Sequence, residues 1–274
     1  MKVLVPTDLS PTATSGLKYA LSFLNNYKGG SIHVLHVVEN ESLRGDAQDR
    51  LDTLCALNHA NHTTITSHIT VGDFEEEIGA FAITHACNLV IMATKGVHGI
   101  QKLIGSRALK IISESTTPFI VTQREVHDDE VLDRIAVPIT LEREDKKILS
   151  TVAAIAAPLK AAVLLIYEDK TDEYLAATIS RNLNFAKSYL RQRGVQTQAI
   201  DVGHDLSFDE AIIKYAAAHQ YDLIATVNHH NDGILNLFGA NFDQNILENG
   251  AHIPVLTADA RSHEHVNDIF MTTR

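Results

Sequence analysis

Two short stretches carry the residues best suited to chemistry: Val5-Pro6-Thr7-Asp8-Leu9-Ser10, and a glycine-bearing run, Met92-Ala93-Thr94-Lys95-Gly96-Val97-His98-Gly99, that continues through Ile100-Gln101-Lys102-Leu103-Ile104 to Gly105-Ser106. Gly96 and Gly99 have no Cβ to keep a backbone N–H away from an anion. Gly105-Ser106 stands where a helix begins, and the free N–H groups and dipole of a helix start favour a phosphate. Ser106 adds a hydroxyl, Lys95 a positive charge, and Asp8 a carboxylate that accepts hydrogen bonds from a ribose. Taken singly, each has an ordinary structural use: loop glycines supply positive φ, and a serine before a helix is an N-cap. Their order along the chain is what points to a ligand. Neither a P-loop ending in Gly-Lys-Ser/Thr nor a G-x-G-x-x-G after the first strand is present, which sets those two nucleotide folds aside.

The elements that must position these residues read as alternating strands and helices. Val3-Leu4-Val5 is a buried strand, and Ser10-Pro11 supplies an N-cap and an N1 proline for a helix with Leu17, Leu21 and Leu24 on one face, running to Gly29-Gly30. Strand Ile32–Val38, helix Leu43–Asn58, strand Ile65–Val71, helix Phe74–His85, strand Leu89–Met92, helix Ser106–Ser115 and strand Phe119–Val121 follow. Such alternation predicts a parallel sheet with helices on both faces. In such a sheet, ligands sit beyond the carboxyl ends of the strands where strand order reverses, which brings the two stretches above together.

The programme then repeats. Residues 124–131, polar and acidic, read as a linker. Arg134-Ile135-Ala136-Val137-Pro138 repeats Lys2-Val3-Leu4-Val5-Pro6 at an offset of 132, and Leu223 through Ala240 runs without a gap over Leu89 through Ser106 at an offset of 134. So long a period means duplication of a whole domain: 1–123, then 132–258, with a tail at 259–274.

Composition narrows the function. With 45% hydrophobic and 21% charged residues the chain is that of a folded protein, and its net charge of −11 argues against a partner that is nucleic acid. No apolar run approaches a membrane span or a signal peptide, so a cytoplasmic location without membrane contact is expected. Cys55 and Cys87 read as buried free thiols.

On Thr7-Asp8 in Val-Pro-Thr-Asp, on Leu35-His36-Val37 and on the loop from Met92 to Ser106, the sequence resembles the universal stress protein family, in its tandem form. The resemblance covers 1–123 well and 132–258 more faintly. It implies a fold class of α/β, with two tandem open five-stranded parallel sheets of strand order 3-2-1-4-5, like the adenine nucleotide alpha hydrolases. It also implies ATP as ligand, bound through an Asp after the first strand and a loop of form G-x-x-G-x9-G-S/T after the fourth. The site residues carried over are Thr7, Asp8, Val37, Met92, Lys95, Gly96, Gly99, Gly105 and Ser106, with Mg2+ as the companion of the triphosphate. Two departures stand in the loop: Ala93 replaces the first glycine, and eight residues, not nine, separate Gly96 from Gly105. A methyl group or a deletion there shifts the backbone N–H groups that would hold phosphate.

In the second copy, Ile139-Thr140 replaces Thr7-Asp8, and Val227, Asn228, His229 and His230 replace Ala93 to Gly96. One nucleotide per chain, in the first copy, is therefore expected. The rival reading is a nucleotide-independent interaction protein with both sites decayed. Slow ATP hydrolysis ranks third, as no carboxylate pair for Mg2+ and no water-positioning base is identifiable. The resemblance further implies that the fused copies pair as an intramolecular pseudo-dimer through the edges Phe119–Val121 and Val255–Leu256, and it leaves a homodimer open. Among fifteen histidines, His229-His230 with Asp232 and His263-Glu264-His265 lack the fixed spacing of a zinc site, and His33 and His36 read as sheet residues. Glu75-Glu76-Glu77 reads as the solvated first turn of a helix.

Overall fold

A computed structural model describes residues 1–25, 27, 29–58, 62–94, 106–123, 132–142, 146–228 and 242–259. The chain divides into two units, Met1–Val131 and Leu132–Arg274.

In the first unit, β1 (Lys2–Pro6), β2 (Ser31–Val38), β3 (Thr64–Val71), β4 (Leu89–Ala93) and β5 (Phe119–Thr122) form a sheet in the order β3-β2-β1-β4-β5. All pairings are parallel, with Val3 opposite Ile32 on one side of β1 and opposite Leu89 on the other. The connections are α1 (Pro11–Leu24), α2 (Arg44–Leu57), α3 (Phe74–Thr84) and α4 (Ser106–Glu114). Right-handed crossovers place α1 and α2 on one face and α3 and α4 on the other. Successive residues of β3 register this. Arg44 and Asp52 of α2 bond the Ile69 carbonyl and the Ser67 hydroxyl, whereas Glu77 of α3 accepts from Thr70 and Phe81 of α3 packs edge-on against His68. Covered on both sides, β1, β2 and β4 bury an unbroken aliphatic core of Val3, Leu4, Val5, Ile32, Val34, Leu35, Leu89, Val90 and Ile91.

The second unit repeats the plan. Strands β6 (Arg134–Ile139), β7 (Ala162–Tyr167), β8 (Thr197–Asp201), β9 (Leu223–Asn228) and β10 (Val255–Asp259) are ordered β10-β9-β6-β7-β8, all parallel. Its helices are α5 (Ile148–Leu159), α6 (Glu173–Gln192), α7 (Phe208–Ala218) and α8 (Phe242–Leu247). The α/β class read from the alternation, and the strand order that the family resemblance implied, are thus observed in each unit.

Local differences have simple causes. Helix α1 stops at Leu24, with Asn25 as its C-cap, several residues before the glycines expected to end it. Asp259, expected in the tail, closes β10 opposite Asn228 and is buried. Cys87 is buried and Cys55 only half-buried, both as free thiols. The glutamates expected to be solvated are partly tied: Glu75 meets Lys110 of α4 at 2.6 Å and Glu77 meets Thr70 at 2.8 Å. No helix among the described residues is long and apolar enough to cross a membrane.

Candidate functional site

Strand β1 is the point where strand order reverses, with β2 on one side and β4 on the other. Its carboxyl end therefore faces the crevice in which open α/β sheets take ligands. The chain leaves β1 through two tight turns closed by side chains: Leu9 N–H donates to Thr7 Oγ1 at 3.0 Å, and Ser10 N–H donates to Asp8 Oδ1 at 2.9 Å. Ser10 then caps α1, accepting from Ala13 N–H at 3.3 Å. Between these turns Leu9 adopts φ 60°, a left-handed conformation that costs a leucine about 1–2 kcal/mol and that folds tend to keep where a site needs it.

These turns sort the two predicted residues into different roles. Thr7 is 1% exposed, and its N–H donates to the Leu35 carbonyl at 2.9 Å. Its own carbonyl takes a 2.7 Å hydrogen bond from Nδ1 of His36. Thr7 is thus a buried corner post with its polar groups engaged inside the fold. Asp8 is exposed, one carboxylate oxygen holds the turn, and Oδ2 has no partner among the described residues. The carboxylate is fixed in place yet open to a ligand.

On the β4 side, Met92 is buried at 5% exposure, so its offering to a ligand is backbone, and Val37 lies half-buried on β2 opposite Thr70. Ala93 ends β4. A Cβ built on Gly16 of α1 would lie 3.3 Å from the Ala93 methyl and 3.2 Å from its N, so the methyl is directed at α1 and fits because residue 16 has no side chain. The Ala93 side chain thereby takes part in the α1–β4 packing. Lys95, Gly96, Gly99 and Gly105 lie outside the described residues, and α4 begins at Ser106. His229, His230, Asp232, His263, Glu264 and His265 also lie outside them. Among the described residues no group of three His, Cys, Asp or Glu side chains is arranged to hold a metal ion.

The corresponding corner of the second unit is built differently. Ile139 and Thr140 are each 3% exposed. Thr140 Oγ1 accepts from Glu142 N–H at 3.0 Å, and the Thr140 carbonyl accepts from Nδ2 of the buried Asn182 at 2.8 Å. Leu141 is not among the residues with positive φ.

Sequence reasoning missed His36 as the donor to Thr7, Gly16 as the partner of Ala93, and the strain at Leu9. The first two are contacts across sequence gaps that no local pattern signals. The run Leu9-Ser10-Pro11 was a signal for the third, since a turn so short before a helix leaves few backbone conformations.

With the geometry in place, comparison with known proteins decides the family. Residues 1–123 match the Universal stress protein family. The N-terminal unit belongs to that family. Among solved structures, the chain is similar to a universal stress protein from Archaeoglobus fulgidus DSM 4304, at 14% identity and a TM-score of 0.70 over 94% of this chain and 98% of that one. It is also similar to a putative universal stress protein from Pseudomonas aeruginosa UCBPP-PA14, at 15% identity and a TM-score of 0.66 over 98% and 96% of the two chains. A functionally unknown protein from Pseudomonas aeruginosa PAO1 shares 14% identity, with a TM-score of 0.64 over 98% and 94%. At these identities the likeness speaks for the fold alone. No curated protein matches the chain.

Proposed function

We propose that the N-terminal unit is a regulatory module that binds one adenine nucleotide, ATP, in the crevice between the carboxyl ends of β1 and β4, and that the second unit has no nucleotide site of its own. The observation that carries this reading is Asp8: an exposed carboxylate pinned through Oδ1, with Oδ2 open beside the strand-order reversal. Such an acceptor suits a ribose hydroxyl. The Ala93 methyl is turned toward Gly16, so the replacement of the loop's first glycine does not by itself argue for a decayed site. The phosphate contacts assigned to Lys95, Gly96, Gly99, Gly105 and Ser106 rest on the sequence pattern, and Mg2+ would arrive with the triphosphate as its counterion.

The test is direct. The native protein, purified without added nucleotide and then denatured, should release an adenine nucleotide detectable by ultraviolet absorbance and mass spectrometry, or should take one up on incubation with ATP. Neither result in the native protein would favour an interaction module without a ligand.

A further inference from the structure

At the opposite, amino-terminal end of the first sheet, three histidines meet where no ligand role was expected. His33 of β2 and His68 of β3 share one hydrogen bond, Nδ1 to Nε2, at 2.9 Å. His85, just beyond α3, stacks on Phe81 with centroids 3.7 Å apart, and its ring centroid is 5.8 Å from that of His33 and 5.5 Å from that of His68. Phe81 packs edge-on to both His33 and His68. All three imidazoles are half-buried. Other polar ties hold the end of α3 here: His85 Nδ1 donates to the Phe81 carbonyl at 3.1 Å, and Lys2 Nζ donates to the His85 carbonyl at 2.9 Å.

We propose that His33, His68 and His85 form a proton-operated latch that closes the C-terminal end of α3 onto β2 and β3 at neutral pH and releases it on acidification. The shared bond joins β2 to β3, and His85 lies against both of its rings, so charge on the pair is felt at the end of α3. One imidazole must donate and the other accept. A first proton, placed on a remote ring nitrogen, leaves the N–H···N bond standing. A second removes the accepting lone pair and sets donor against donor between two cations.

Among the described residues, the groups around the pair oppose charge on it. On β1 the nearest ionisable group is Lys2, a cation, on α3 it is His85, and the thiol of Cys87, next in the chain after Ala86, is pushed up to about 11 by burial. On α4, packed against α3, Lys110 pairs with Glu75, which is at the start of α3 and so at its far end from His85. Burial, then His68, His85 and Lys2, holds His33 down at about 4, and burial with His85 also lowers His68. Folded-state values below the ordinary one near 6.5 mean that the latch is fully stabilising above that pH and weakens as pH falls from there toward 4.

Hydrogen exchange read by mass spectrometry on the full chain, with protection factors corrected for intrinsic rates, tests this. The amides of His85, Ala86 and Cys87, which donate to the Phe81, Ile83 and Ala82 carbonyls, are the reporters, and β7 of the second unit is the control. Between pH 7 and 4.5 the reporters should lose about tenfold or more of their protection while β7 keeps its own. In His33→Gln/His68→Gln, checked for native circular dichroism at pH 7, the loss should vanish. His68→Asn alone should make it shallower. Unchanged protection in the parent, a parallel loss in β7, or an equal loss in the double variant would each overturn the latch.

Discussion

The two corners that end β1 and β6 occupy the same place in two copies of one fold, yet one presents a carboxylate and the other seals itself. Both turn the chain by the same device, a side-chain oxygen accepting the N–H two residues on: Asp8 from Ser10, and Thr140 from Glu142. In the first unit the oxygen belongs to an exposed residue whose second oxygen has no partner among the described residues. In the second it belongs to a buried threonine, 3% exposed. The carbonyl behind each corner is tied down from a different element, by His36 on β2 in one unit and by Asn182 on α6 in the other. Strain follows the same division, with φ 60° at Leu9 and none at Leu141. The turn is present in both units, and an exposed polar group stands at it in only one.

The strongest way to break this comparison is to give the second corner the residue of the first. Thr140→Asp should not create a site, because the position is buried and an ionised carboxylate there would lose its hydration. It should instead destabilise the second unit by about 2–3 kcal/mol, read as a lower urea midpoint for exchange in β6 and β7 peptides. An unchanged midpoint together with a second bound nucleotide would mean that the corners are interchangeable.

A smaller effect sharpens the contrast between the two anchors. Asn182→Ala removes a buried hydrogen bond to the Thr140 carbonyl and should cost the second unit about 1–3 kcal/mol. His36→Ala removes a partly buried bond that water can replace and should cost the first unit only about 0.5–1.5 kcal/mol, while loosening the Thr7-Asp8 corner enough to weaken nucleotide uptake. Equal losses in the two units, by the same exchange measurement, would remove burial as the distinction.

Much of this was legible in the sequence, and the limits have physical reasons. Alternating apolar runs gave the strands of the first unit to within a residue or so at each end, because strands covered on both faces leave few places for polar residues. Ser10 announced its cap, and Asp8 and Thr140 announced the asymmetry. What the sequence could not show is direction: whether the Ala93 methyl points at a phosphate or at α1 depends on Gly16, which is remote in the chain. The Ala93 methyl packs against α1 at Gly16, while the loop it was expected to disturb lies outside the described residues. The histidines on β2 were read as sheet residues, which they are, but the meeting of His33 with His68 and His85 needs the β2–β3 register and the end of α3 together. Glu75 looked solvated because its partner, Lys110, belongs to a different helix.

The central claim, one nucleotide per chain held by Asp8, is tested most directly by calorimetric titration of ATP into the parent, Asp8→Ala and Thr140→Ala proteins. Loss of a charged hydrogen-bond acceptor costs about 1.5–3 kcal/mol, so Asp8→Ala should weaken binding roughly ten- to a hundred-fold with the fold intact, and Thr140→Ala should leave affinity unchanged. The parent should titrate to a stoichiometry of about one. A stoichiometry of about two, or equal weakening by the two substitutions, would contradict the account.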